Sequence, residues 1–168
     1  MRTEPQRGTF VFTLTAKELA DICDVRVCLE VAALRASMAR APETLVGALA
    51  ATVEAMTSKR RANDDQAYLH LDTQFHQCLF DHADNRFLDE AYHTIASKMA
   101  ALRNRLGMHP DHMKKSYEEH KAILRSLRKR DLERAEAILI SHIGRKEGSY
   151  WNLEAEGDEA VARLGVAL

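Results

Sequence analysis

Asp72, His76, His120 and His142 are polar, metal-ligating residue types placed where helices should be apolar. Leu69, Asp72, His76 and Leu79 follow a 3-4-3 spacing; Tyr117, His120, Leu124 and Leu127 repeat it, and Ala135, Leu139 and His142 continue it. Residues three and four apart share one face of a helix. One carboxylate and three imidazoles are therefore expected to point into a helical core. Each would cost about 1–3 kcal/mol if buried there without a partner. A single divalent cation would pair all four, because ring nitrogens and a carboxylate oxygen suit zinc, nickel, iron or manganese. A polar core satisfied by hydrogen bonds alone, in a structural dimerisation module, is the alternative that the spacing leaves open.

Two arginines border these faces. Arg26 interrupts the seam Leu19, Ile22, Arg26, Leu29, Ala33 and Ala36, with Glu30 one turn beyond it. It reads either as half of an i,i+4 ion pair on the helix flank or as a cation facing a polar cavity. Arg103 stands four residues after Met99 and three before Leu106, at the border of an inward face. Other metal chemistries fit less well. There is no HExxH, and Glu90-Ala-Tyr-His93 is the single ExxH, where a ferritin-like di-iron bundle needs two. No GxSxG, glycine-rich phosphate loop or zinc-finger spacing occurs. With no general base beside the candidate ligands, a metal-dependent hydrolase-like bundle ranks below a binding site.

Helices must supply these faces. The chain has 168 residues, 46% of them hydrophobic, with only seven glycines and three prolines. That composition predicts one folded, all-α unit. An antiparallel bundle of about six helices is expected. The first begins near Thr15, whose hydroxyl and Glu18 form a capping box, and breaks at Ala41-Pro42. The second runs to about Arg61, with Leu45, Leu49, Val53 and Met56 inward and a short basic end, Lys59-Arg60-Arg61. The third starts at Asn63-Asp64-Asp65 and ends near Ala83-Asp84-Asn85; the fourth covers about 85–107. Gly107 to Asp111 reads as an interruption before a fifth helix at about 113–129. A sixth, capped by Asp131, is expected over about 131–151. The helical domain is thus expected at 15–151, with 152–168 as a C-terminal extension. Residues 1–14 are different: Gln6 to Phe12 reads as a short strand with nothing nearby to pair with.

Charge and cysteine content narrow the function classes. The net charge is −1, less basic than a stand-alone nucleic-acid binder usually is. The three cysteines, Cys23, Cys28 and Cys78, form no CxxC pair, which fits a reduced, cytoplasmic chain. No apolar run reaches the roughly 18 residues of a membrane span, and no secretory signal is seen.

Several motifs, in order, resemble one family. Arg26-Val-Cys-Leu29-Glu30 is similar to R-x-x-L-E, and Asp72-Thr-Gln-Phe75-His76 to D-x-x-F-H. Asn85 with Leu88 is similar to N-x-x-L, Glu119-His120-Lys-Ala-Ile123-Leu124 to E-H-x-x-I-L, and Asp131, Ala135 and His142 to D-x-x-x-A…H. Over roughly residues 8–150 the chain resembles the C-terminal effector-binding (FCD) domain of GntR-type transcription regulators of the FadR-like subfamily. The resemblance implies an antiparallel, usually dimeric bundle that binds a divalent metal through Asp72, His76, His120 and His142. Zinc is the first expectation. It further implies a small carboxylate effector beside the metal, with Arg26 helping to bind the anion; Arg103 joins that cavity on position alone. Such regulators carry an N-terminal winged helix-turn-helix. Here Gln6 to Val11 resembles only the end of its wing, so residues 1–14 are expected to be a wing remnant or linker. This chain is accordingly not expected to read operator DNA by itself.

Overall fold

The computed structural model describes residues 16–106 and 110–144, without the side chains of Ala16, Leu19 and residues 101–106. The expected wing strand, the Thr15 cap and the C-terminal extension lie outside the described residues. Six helices form an all-α bundle: α1 Ala16–Arg40, α2 Pro42–Arg61, α3 Asp65–Asp81, α4 Arg86–Leu106, α5 Pro110–Arg128 and α6 Leu132–Ile143. There is no strand among the described residues.

Short, well-defined turns set the up-and-down course. Pro42 opens α2 directly after Ala41, because its missing N–H would have no helical partner at that position. Asn63 and Arg130 adopt left-handed backbone, with φ of 52° and 61°. After each, the next amide reaches back across the helix end: Asp64 N to Lys59 O and Asp131 N to Ser126 O, both 3.0 Å. These are Schellman ends, which satisfy carbonyls that the helix leaves open. Asp64 and Asp131 then cap the following helices by accepting from Ala67 N and Arg134 N at 3.1 and 3.0 Å.

Hydrogen bonds between helices define their register. Ser37 lies against the Leu79 carbonyl, and Arg40 donates to the Ala83 carbonyl, so the C-terminal ends of α1 and α3 lie together. Arg60 donates to the Met113 carbonyl and Arg130 pairs with Glu43, so α2 and α5 are antiparallel. Helix α1 packs against α2, α3, α4 and α6 and is buried on more than one side. Leu34, Leu45, Leu49, Met56, Phe75, Leu79, Leu127 and Leu139 are fully buried at the centre.

Three expectations need adjustment. α5 begins at Pro110, not near 113: the proline is the first helical residue and not part of an interruption. The helix expected to reach 151 stops at Ile143, where Gly144 turns extended (φ −73°, ψ 175°). A β-carbon on Gly144 would stand 2.8 Å from the Ile140 carbonyl oxygen, so the smallest residue fits this exit. The buried stripe of α1 runs through Ile22, Arg26, Glu30, Ala33 and Ser37, whereas Leu29 and Ala36 are only partly buried. A 3.6-residue period drifts away from a strict 3-4 seam over a helix this long.

Candidate metal centre

The seams of α3, α5 and α6 do converge. Asp72 and His76 lie one turn apart on α3, and His120 on α5 and His142 on α6 meet them. One potential ligand atom from each of the four residues lies within 4.8 Å of all the others. His76 Nε2 is 3.4 Å from His120 Nε2 and 3.2 Å from His142 Nε2, and His120 Nε2 is 3.7 Å from Asp72 Oδ1. Asp72, His76 and His120 are buried, and His142 is partly so. Phe75 closes one side: its ring lies 4.2 Å, centroid to centroid, from that of His120 and meets His76 edge-on at 5.7 Å.

Carboxylates and a hydroxyl outside the cluster orient these groups. His76 Nδ1–H donates to Glu30 Oε2 at 2.7 Å, and His142 Nδ1–H donates to Glu119 Oε2 at 2.9 Å. A neutral imidazole that donates from Nδ1 carries its lone pair on Nε2. Two lone pairs are thereby aimed at each other, with the Asp72 carboxylate beside them. Ser116 Oγ donates to Asp72 Oδ1 at 3.0 Å and sets that carboxylate's orientation. One shared proton would satisfy a single nitrogen pair. One divalent cation would satisfy three nitrogens and the carboxylate oxygen together, and the donor set therefore fits a metal.

The charge balance agrees. Arg26 is 2% exposed, Glu30 0% and Asp72 4%. With neutral imidazoles, these three buried groups sum to one negative charge. Arg26 Nε donates to Glu30 Oε1 at 2.5 Å. Burial acts to lower the arginine's pKa, but the carboxylate charge of Glu30 and, more weakly, of Asp72 outweighs it. The guanidinium is thus held above the ordinary arginine value and stays charged. Among the described residues its Nη2 is buried with no hydrogen-bond partner, and so is Tyr92 Oη. An unpaired buried donor is costly, so both groups are poised for an acceptor.

The seam spacing brings Asp72, His76, His120 and His142 together in space. The i,i+4 pair of Arg26 with Glu30 forms, but it is buried beside His76 instead of lying on a helix flank. The side chain of Arg103 lies outside the described residues. Glu30, Glu119, Ser116 and Tyr92 were not singled out as site residues. Glu119 and Glu30 stood inside the E-H and R-x-x-L-E motifs, so a signal existed; Ser116 carried one only as the residue four before His120.

Comparison with curated proteins gives no match. The family model described as FCD domain matches residues 21–145, which includes all six helices in whole or part. This chain belongs to the FCD family, the C-terminal effector-binding domain of GntR-type transcription regulators.

Proposed function

We propose that this domain senses a small carboxylate at a divalent metal held by Asp72, His76, His120 and His142. The family makes it an effector-sensing regulatory domain, and FCD domains belong to transcription regulators and not to enzymes. The finer reading is supported most by one observation: Nε2 atoms locked as acceptors by Glu30 and Glu119 point at one another beside a carboxylate. Zinc is the first choice, with nickel, iron and manganese as the other candidates. When bound, the ion would supply two positive charges and an open coordination position for a carboxylate oxygen.

The chain's own groups do the rest. Arg26 Nη2 and Tyr92 Oη are two buried donors that a carboxylate can satisfy. The single negative charge of the buried set becomes one positive charge with a divalent ion, which favours a monoanion in a buried site. Arg103 on α4 is proposed as a further anion contact on its sequence position alone. The domain is proposed to act as a homodimer in the cytoplasm. No described helix is long and apolar enough to cross a membrane. Titration calorimetry of metal-free protein with zinc, then of the zinc form with small carboxylates, tests the reading. Sequential binding of both is expected; carboxylate binding unaffected by Arg26→Ala contradicts the anion assignment.

A further inference from the structure

Glu30 is shared between the two halves of the site. One carboxylate oxygen takes the Arg26 Nε–H at 2.5 Å and the other takes the His76 Nδ1–H at 2.7 Å. The side chain is fully buried. The chain Arg26–Glu30–His76 therefore runs from Arg26 Nη2, buried with no hydrogen-bond partner among the described residues, to His76 Nε2, which faces the Nε2 atoms of His120 and His142. Resting on the sensing reading above, we infer that Glu30 is a positioning residue that couples an anion on Arg26 to a cation on His76.

The coupling follows from how one carboxylate divides its charge between two donors. An anion on Nη2 draws part of the guanidinium's charge away from Glu30. Glu30 then pulls harder on the His76 Nδ1–H, and Nε2 becomes a stronger electron donor. In the reverse direction, a cation at Nε2 polarises the Nδ1–H and draws Glu30 toward His76. That loosens the hold on Arg26 and leaves the guanidinium freer for an anion. The two effects are equal by linkage. His142 is the internal contrast. Its Nδ1 pairs with Glu119, and among the described residues no hydrogen bond joins Glu119 to Arg26. Direct attraction between a bound cation and a bound anion bypasses Glu30.

Zinc and acetate are the probes. Zinc affinity is measured with and without saturating acetate in the wild type and in Glu30→Gln. Acetate is expected to tighten zinc binding about 5-fold or more in the wild type and by a factor at least about 2-fold smaller in the variant, where only the direct attraction between the two ions remains. Equal enhancement in both, or none in the wild type, overturns the coupling. A wild type that binds no zinc overturns the sensing reading beneath it, which is a separate outcome. Removing a buried charge can unfold a variant, so a second measurement uses the unaltered protein. In nitrogen NMR of the zinc form, acetate should move the His76 Nδ1 resonance more than that of His142. Equal movement of the two overturns the coupling, whatever the variant does.

Discussion

His76 and His142 hold their Nε2 atoms 3.2 Å apart while the Nδ1 of each faces a carboxylate. Their rings are nearly parallel, 16° between planes with centroids 5.1 Å apart. A ring that donates from Nδ1 to its carboxylate presents its Nε2 to that gap as a ligand atom. The bundle thus gathers electron-rich ligand atoms at its centre, and the candidate ion answers to that feature.

A cation bound at this cluster should stabilise the fold. A ligand that binds only the native state at about 100 times its Kd adds roughly 2.7 kcal/mol. Thermal denaturation with excess zinc, set against denaturation after chelation, is expected to show a higher Tm in zinc. An unchanged Tm speaks against a site in the native bundle.

The groups that orient the ligands should matter nearly as much as the ligands. Glu119→Gln leaves His142 Nδ1 without its carboxylate, and Ser116→Ala removes the hydroxyl that donates to Asp72 Oδ1. Each is expected to weaken metal affinity about 10- to 100-fold. Competition with a chromophoric chelator measures the affinity, and far-UV circular dichroism should show unchanged helix content.

Arg130 tests the α5–α6 turn independently of any ligand. With φ at 61°, it occupies backbone that β-branched residues avoid. Arg130→Val is expected to cost about 1–2 kcal/mol in urea unfolding. Arg130→Gly should be close to neutral, since it relieves the backbone but loses the surface pair with Glu43.

Asp64 makes a prediction about pH. Its hydrogen bond with Lys59 and that from the Ala67 amide hold its carboxyl below the ordinary value of 3.8. A lowered folded value means that the stabilisation is complete above 3.8 and is lost as pH falls through the folded value. Wild type should therefore melt above Asp64→Ala at neutral pH, with the gap closing on acidification below 3.8. A gap that persists or widens in acid contradicts this cap.

Much of the site was legible in the sequence because helical period is the strongest signal a chain carries. Leu69, Asp72, His76 and Leu79 are all buried on α3, as a 3-4-3 spacing requires. The second helix was legible from Pro42 to Arg61 for a similar reason: a proline at its start and a basic end where the dipole favours one. What escaped was what spacing cannot express. Glu30 looked like a flank residue because a strict seam drifts from the true period across α1. The partnerships of Glu119 with His142 and of Ser116 with Asp72 link different helices, so they exist only after packing. Gly107 to Asp111 read as an interruption, although Pro110 and Asp111 open α5, because proline both ends helices and begins them.

The most direct test is elemental analysis of the purified protein beside a His120→Ala, His142→Ala double variant. The account predicts about one divalent ion per wild-type chain and none in the variant. Full occupancy in the variant, or a wild type that takes up no divalent ion when zinc, nickel, iron and manganese are supplied, would contradict it.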